Sequence, residues 1–228
     1  VNSNAYTYTF ATVMVVIVAV LLSGASLGLK SRQSANITQE KKQSILASIG
    51  IEKNRAESDL IFTQYVKQSL TLSGGQVVSE DASAAFDIDM AKAVKSDNME
   101  RSVPLYVTEK DGETFYVVPL RGKGLWGPVW GYLALESDGN TVVGATFGHK
   151  SETPGLGAEI TTPIFTDQFP GKKISEAGVF QSISVVKAGT SAGNYMVDGI
   201  SGGTITSNGV NDMLTDCLAP YAVYFKNI

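Results

Sequence analysis

The stretch Asp198-Gly199-Ile200-Ser201-Gly202-Gly203-Thr204-Ile205-Thr206-Ser207-Asn208-Gly209 precedes an apolar segment, Val210 to Leu218. Its adjacent glycines permit backbone angles closed to other residues and let another group come near the main chain. Its hydroxyl side chains can cap a helix, and the free N–H groups of a helix start attract anions. The hydroxyl residues are Ser201, Thr204, Thr206 and Ser207. The stretch predicts a loop before a helix, which either holds a phosphate or is only a well-capped turn.

Composition limits the chemistry open to the chain. Its 228 residues suffice for one sizeable domain with extras or for two small domains, and the 18% charged share is low for a protein that faces only water. The net charge of −4 offers no basic face for nucleic acid. Cys217 is the single cysteine of the sequence, which excludes an internal disulfide. His149 is the single histidine, which restricts transition-metal sites. Redox or transfer chemistry must therefore come from a cofactor, carboxylates or hydroxyls.

The first 29 residues carry no charge, and the run from Tyr8 to Leu29 is apolar apart from small hydroxyls and glycine. As a helix this run would be about 33 Å long, enough to cross a hydrocarbon core of about 30 Å. Ser23–Ser26 could instead be the cleavage site of a signal peptide, but the run is longer than a usual signal core. We therefore expect residues 1–30 to form a retained transmembrane anchor. The charge pattern, with Lys30, Arg32, Lys41 and Lys42 after the run and none before it, favours a cytoplasmic location for the rest of the chain.

Residues 31–100 are expected to be a juxtamembrane helical region. Periodic apolar positions predict a helix from Ile37 to the stop signal Gly50, a second from Ser58 to Leu70 with Ser58 as its cap, and a weaker third from Ile88 to Lys95. Gly74-Gly75 would end the second segment.

Residues 101–228 are expected to form an α+β domain on an antiparallel or mixed sheet with flanking helices. Asp111-Gly112 and Asp138-Gly139-Asn140 predict two hairpins. The four hairpin strands would be Val103–Thr108, Phe115–Leu120, Gly131–Glu136 and Thr141–Phe147, with a fifth strand at Ile183–Lys187. Hairpins followed by helices without regular alternation indicate this fold class, and no GxGxxG follows a strand.

A second motif, His149-Lys150-Ser151-Glu152-Thr153-Pro154-Gly155-Leu156-Gly157, comes after the fourth strand. Thr153 before Pro154 predicts a helix opening, and the helix would run to about Phe165. On chemistry alone the motif is a connection between a strand and a helix, and its glycines allow close backbone approach. His149 is expected to cap the connection rather than to donate a proton.

A third motif, Gly122-Lys123-Gly124-Leu125-Trp126-Gly127-Pro128-Val129-Trp130-Gly131-Tyr132, holds both tryptophans. Aromatic side chains belong more often to a core than to a cofactor site, so Trp130 is expected in the core. Trp126 could stack on a ring or fill a corner.

Ser201-Gly202-Gly203-Thr204-Ile205-Thr206 resembles the S/T-G-A-T-x-T/S flavinylation motif of bacterial membrane redox proteins. The resemblance implies that Thr206 carries FMN through a phosphoester bond, and Asp198 stands where the family has an acidic residue. Gly203 departs from the family's usual alanine.

The second motif resembles a hallmark of the same FMN-binding family, H-x-E-T-P-G-L-G, which wraps the flavin ring. The G-K-G-L-W-G run is similar to that of the NqrC-type family of the sodium-translocating NADH:quinone oxidoreductase, whereas the related Rnf-type family usually has a G-Y-S-G type run. Beyond Thr206 and Asp198, the resemblance implies cofactor contacts at Ser201, Gly202, Gly203, Thr204, Ile205, Glu152, Thr153, Gly155, Leu156, Gly157, Leu125 and Trp126.

The resemblance implies a membrane-anchored electron carrier in a hetero-oligomeric, sodium-pumping NADH:quinone oxidoreductase. It further implies maturation by a flavin transferase that uses FAD and magnesium. It also implies a flavin domain on the periplasmic side of the bacterial inner membrane, whereas the charge pattern favours the cytoplasmic side. An Rnf-type protein with the same chemistry, an anchored binding or assembly module without flavin, and a soluble flavin reductase are the alternatives.

Overall fold

The computed structural model describes residues 3–52, 54–55, 57–98 and 100–227. The chain divides into two compact units, and the boundary lies after Lys41. The first is helical, and the second is an α+β domain built on an antiparallel sheet, as the sequence predicts.

Helix α1 runs without a break from Asn4 to Ser48, so the separate helix predicted from Ile37 is wrong. No glycine or proline stands between Leu29 and Ile37, which leaves nothing to end the helix there. Gly50 does end it, at a φ of +73°, and the N–H of Ile51 donates back to the carbonyl of Leu46 at 3.0 Å. The most apolar eighteen residues of α1 have a mean hydropathy of 2.5 and are exposed, so the helix is long and apolar enough to cross a membrane.

A six-stranded sheet with the order β2-β1-β3-β4-β5-β6 forms the domain, and each neighbouring pair is antiparallel. Its strands are β1 (Val66–Ser73), β2 (Gln76–Ser79), β3 (Val103–Lys110), β4 (Glu113–Lys123), β5 (Pro128–Leu135) and β6 (Val142–His149). Both predicted hairpins are confirmed, as β3–β4 and β5–β6. Asp111 and Gly112 have φ values of +54° and +84°, the conformation that a tight hairpin turn requires.

The region between residues 31 and 100 is not wholly helical. Helix α2 (Ser58–Tyr65) ends five residues before the predicted Leu70, and β1 takes over, with Gly74 and Gly75 in the turn to β2. The physical reason is burial: Leu70 and Leu72 lie in the sheet core, where β1 pairs with β3. Ser58 is the first helical residue rather than the cap.

The predicted third helix, Ile88 to Lys95, is present but shorter, as α4 (Met90–Ala93), and an unpredicted helix, α3 (Ala82–Asp87), precedes it. The Asp81 carboxylate accepts from the N–H groups of Ser83 and Ala84, and that of Asp89 accepts from Ala91. Each aspartate therefore starts a helix of its own.

After β6 the chain forms small elements before the last helix. These are a 3₁₀ helix (Gly157–Thr161), α5 (Pro163–Thr166), β7 (Ser175–Glu176), β8 (Val179–Phe180), β9 (Ser184–Val186), a second 3₁₀ turn (Gly193–Tyr195) and β10 (Met196–Asp198). The predicted fifth strand is β9, which pairs in parallel with β10 rather than joining the main sheet.

Helix α6 (Thr204–Lys226) packs against β4 and closes the larger of two cores, one on each face of the sheet. Its Val210, Leu214 and Leu218 are fully buried there. The other face of the sheet packs against Ile45 and Leu46 at the end of α1. Because α6 lies across β4, its first turn comes beside the β4–β5 loop.

Candidate functional site

The three sequence motifs meet around one cavity of about 410 Å³. The β4–β5 loop, the connection after β6 and the start of α6 supply its walls. The lining residues are Leu125, Trp126, Glu152, Thr153, Leu156, Gly157, Gly202, Gly203, Thr204, Ile205 and Thr206. All of them belong to the predicted set. Its volume lies within the range of small-molecule sites.

The β4–β5 loop is a tight turn in which the N–H of Gly124 donates to the carbonyl of Gly127 at 2.7 Å. This turn projects Leu125 and Trp126 outward, and Trp126 is 64% exposed. Trp130 is half-buried rather than a core residue, and the Arg121 guanidinium lies 5.6 Å from the centre of its ring. Trp126 is thus the tryptophan available to a bound ring.

The connection after β6 is not the helix that Thr153-Pro154 predicts. Gly155 has a φ of +76°, which interrupts a right-handed helix. Pro163 begins the separate helix α5. The bend is stabilised by the Glu159 carboxylate, which accepts from the N–H of Gly155 at 2.8 Å.

This bend turns the Glu152 side chain inward, where the residue is 4% exposed. Its N–H donates to Nδ1 of His149 at 3.1 Å, consistent with a structural His149. Its Oε1 accepts from the N–H of Trp126 at 2.8 Å, which ties the connection to the β4–β5 loop.

Thr206 lies in the first turn of α6 at the inner end of the cavity and is 1% exposed. Its hydroxyl donates to Oε2 of Glu152 at 2.6 Å. No side chain caps this end of α6, where Gly203 is the N-cap residue. Among the described residues, no acceptor is bonded to the N–H groups of Thr204, Ile205 or Thr206, so the helix start is available to an anion.

Three of the predicted contact residues, Asp198, Ser201 and Gly155, do not line the cavity. The Asp198 carboxylate instead accepts from the N–H groups of Thr190 and Ser191 at 3.0 and 2.8 Å. The Ser191 N–H bond is the main reason why the pKa of Asp198 is lowered. The main-chain N–H of Asp198 donates to the Gln168 side chain at 2.7 Å, so Asp198 holds the loop before α6 in place.

Sequence reasoning missed two supports of this loop, the side chain of Gln168 and the hydrogen bond of Ser207 to the loop backbone. The Ser207 hydroxyl accepts from the N–H of Ile200 at 2.9 Å, and this bond folds the glycine turn onto the helix start. The hydroxyl residues next to Gly202-Gly203 in the sequence could have indicated a hydrogen bond of this kind. Gln168 is 30 residues from its partner Asp198, and no local sequence pattern indicates their hydrogen bond.

The walls of the cavity fit a flavin phosphate and ring. Its lining holds no lysine or arginine, so backbone N–H groups and the Thr204 hydroxyl would have to bind the phosphate. Leu125, Trp126, Leu156 and Ile205, between 42% and 64% exposed, offer an apolar slot at the opening. A Cβ on Gly157 would collide with Oγ1 of Thr206 and lie 2.6 Å from Oε2 of Glu152, so the inner end is closely shaped by glycine. These features suit FMN, the cofactor that the resemblance implies.

A larger cavity, of about 580 Å³, lies on the other side of the β4–β5 loop. It is bounded by Arg121, Lys123, Asp212, Met213 and Asp216. None of the predicted contact residues lines it, and it does not reach the start of α6, so size alone does not make it the site.

Residues 124–219 match the model of the FMN-binding domain family. The chain is 33% identical to the C subunit of the Na(+)-translocating NADH-quinone reductase of Vibrio parahaemolyticus, in an alignment that covers 84% of this chain and 82% of that protein. The structure resembles the crystal structure of the C subunit of this reductase from Parabacteroides distasonis, with a TM-score of 0.79 and 43% identity over 88% of this chain and 98% of that one. For Shewanella oneidensis NqrC the TM-score is 0.68 and the identity 27%, over 84% and 98% of the two chains.

These comparisons confirm the resemblance stated from the three motifs, including the preference for the NqrC-type family. They confirm FMN as the cofactor and the other subunits of the reductase as partners. The apolar helix α1 suits such a protein to membrane anchoring. The chain therefore belongs to the NqrC family, the C subunits of the Na(+)-translocating NADH-quinone reductase, which are flavoprotein components of an oxidoreductase complex.

Proposed function

We propose that the chain carries FMN in a phosphoester bond to Thr206 and relays electrons between other centres of the reductase. The observation that carries this proposal is the position of the Thr206 hydroxyl. It is the buried hydroxyl at the inner end of a cavity whose walls come from the three family motifs, within the uncapped first turn of a helix. A phosphate on Thr206 would meet the free N–H groups of that turn.

Bound FMN supplies reversible electron transfer, and the protein contributes position and electrostatics. In our proposal the first turn of α6 holds the phosphate, and Leu125, Trp126, Leu156 and Ile205 cover the ring. Glu152 and Thr153 offer the polar contacts. A covalent bond would keep the cofactor in a carrier whose cavity opens to solvent.

We propose supporting roles for the predicted residues outside the cavity. Gly155 allows the bend that turns Glu152 inward, and Asp198 secures the loop before α6. Ser201 is exposed at the edge of the same turn, and we assign it a contact with the outer part of a bound flavin.

We propose a functional division into an anchor (1–30), a juxtamembrane region (31–100) and a flavin domain (101–228). Strands β1 and β2 belong to the juxtamembrane region in sequence but complete the sheet of the flavin domain. The family resemblance supports a place in the bacterial inner membrane with the flavin domain on the periplasmic side. It also supports maturation by a flavin transferase that uses FAD and magnesium.

Intact-mass measurement of the purified chain, followed by peptide mapping around Thr206, tests the attachment. We expect a gain equal to FMN less one water, abolished by Thr206→Ala and retained in Thr206→Ser, which keeps a hydroxyl. Thr215→Val, in the same helix but outside the cavity, is the matched control and should keep the added mass. An unmodified chain from a strain that makes the transferase would contradict the proposal and favour a binding module without covalent flavin.

A further inference from the structure

We propose that Glu152 is the general base for its own protein's flavinylation, and accepts the proton of Thr206 as the flavin phosphate is attached. This inference rests on the proposed attachment at Thr206. It adds a catalytic residue on the acceptor protein itself, distinct from any group that the transferase supplies.

The hydrogen bond between the two side chains has the geometry of a nucleophile and its base. Oγ1 of Thr206 donates to Oε2 of Glu152 at 2.6 Å, and the two residues are 1% and 4% exposed. A threonine hydroxyl is a weak nucleophile that needs a base within about 2.6–3.2 Å. The other carboxylate oxygen, Oε1, is held by the N–H of Trp126 at 2.8 Å, so the carboxylate is oriented with Oε2 toward the hydroxyl.

Glycines enclose the pair on two sides. A Cβ on Gly157 would collide with Oγ1 of Thr206, and a Cβ on Gly124 would lie 2.6 Å from Oε1 of Glu152. Side chains at these positions would push the carboxylate and the hydroxyl apart. The two glycines therefore preserve the contact between the base and the nucleophile.

The step itself is a phosphoryl transfer from FAD. Oγ1 of Thr206 forms a bond to the phosphorus of the FMN half, and the bond from that phosphorus to the oxygen bridging to the adenylate half breaks. AMP leaves with the bridging oxygen and its electron pair. The proton of Thr206 passes to Oε2 of Glu152, and no oxidant or reductant is needed.

Charge in the buried site also favours this path for the proton. When FAD reaches Thr206, the phosphate of its FMN half brings a negative charge beside Glu152. If Glu152 stayed ionised after AMP had left, its carboxylate and the phosphodiester would place two like charges together without a lysine or arginine in the cavity lining. Proton transfer to Glu152 leaves one negative charge, on the phosphodiester, and converts the carboxylate into a hydrogen-bond donor for it.

Other ionisable side chains lie on the segments packed around Glu152. His149, Lys150 and Glu159 are on its own connection, and Lys123 precedes Gly124. The first turn of α6 contributes no acidic residue. Glu159 bonds to the N–H of Gly155 and supports the bend, so the exposed Glu113 at the start of β4 is the control carboxylate.

The test is the rate at which the full-length, flavin-free chain gains the FMN mass when incubated with a purified flavin transferase, FAD and Mg²⁺. Glu152→Gln keeps the size of the side chain and an oxygen for Trp126 but cannot accept the proton. We expect loading at least about 100-fold slower than in the wild type, the usual contribution of a general base, whereas Glu113→Gln loads at the wild-type rate. The wild-type rate should fall as the solution is acidified, and E152Q should lose this decline.

The inference is overturned if the loading rate of E152Q is less than about tenfold below that of the wild type. It is also overturned if the loading rate of E152Q falls in acid as much as the wild-type rate does. A larger loss together with a flattened pH profile supports it. If E152Q does not fold, Glu152→Asp and Glu152→Asn replace it, and the inference then requires the Asp variant to load at least about ten times faster than the Asn variant. Failure of the wild-type chain to load at Thr206 would instead contradict the proposed attachment.

Discussion

Gly209 of α6 lies directly against the main-chain carbonyl of Lys123 at the end of β4, with no room for a side chain between them. A Cβ at Gly209 would collide with that carbonyl oxygen and approach the Cα of Gly124 to 3.4 Å. This backbone contact fixes the start of α6 beside the β4–β5 loop. It thereby brings Thr206 and Leu125 to one cavity.

Gly209→Ala should destabilise the domain and widen the site. Because the neighbour is backbone and cannot rotate away, we expect a loss of about 1–3 kcal/mol in the free energy of unfolding. Flavin loading should also be slowed, since the helix start moves away from the loop. Gly127→Ala is the control: the added Cβ would make an ordinary contact with Lys150, at 3.5 Å. Equal melting temperatures for the two variants, measured in detergent, would contradict this explanation.

The fold could be predicted from the sequence where signals are local. Asp111-Gly112 and Asp138-Gly139-Asn140 located both hairpins, because turns of this type depend on residues that accept a positive φ. The change from α2 to β1 at Val66 was not predictable in this way. The residues from Ser58 to Leu70 fit a helical period, and only the pairing of β1 with β3 decides that the last of them form a strand.

The members of the site could be predicted as three motifs, but their arrangement could not. The resemblance singled out Glu152 and Thr206 separately, 54 residues apart, and the hydrogen bond between them exists only because β6 and α6 meet at the β4–β5 loop. Asp198 shows the converse. Its place in the motif suggested a cofactor contact, whereas its carboxylate is used by neighbouring backbone N–H groups.

Stability should depend on pH through Asp198. Its pKa is lowered in the folded protein, chiefly by the N–H of Ser191, so its ionised form is favoured by folding. The stabilisation is complete above the unfolded pKa of about 3.9 and is lost as the pH falls through the lower folded value. Asp198→Asn should therefore be less stable than the wild type at neutral pH, and the difference should shrink in acid. A difference in melting temperature that stays constant across this range would exclude the mechanism.

Cys217 should be unreactive until the domain unfolds. The thiol is buried in the core beneath α6, and burial raises its pKa to about 11, so the reactive thiolate is scarce at ordinary pH. Its Sγ also accepts from the N–H of Arg121 at 3.3 Å. We expect iodoacetamide to label the protein only as it melts, with labelling that follows the loss of circular dichroism. Rapid labelling of the folded chain at about pH 8, near the usual pKa of a free thiol, would show that this part of α6 opens without global unfolding.

Gly203 and Gly157 should respond very differently to alanine, although both line the cavity. The backbone of Gly203 has a φ of −106°, which alanine adopts, and an added Cβ would lie 3.1 Å from Cβ of Ile200 and 3.2 Å from the N of Gly157. A small shift relieves such contacts, and the loss of chain entropy in the unfolded state offsets part of their cost. Gly203→Ala, which restores the residue usual in the flavinylation motif, should stay within about 1 kcal/mol of the wild type and keep its flavin.

Gly157→Ala should instead block the site, because the added methyl would collide with the hydroxyl of Thr206 and the carboxylate of Glu152. We expect a loss of about 1–3 kcal/mol and a chain that gains little or no FMN mass. Intact-mass spectra and melting curves of the two variants, prepared side by side, check both outcomes. Since the variants add the same methyl group to walls of the same cavity, equal loading would show that the close packing at Gly157 does not control access to Thr206.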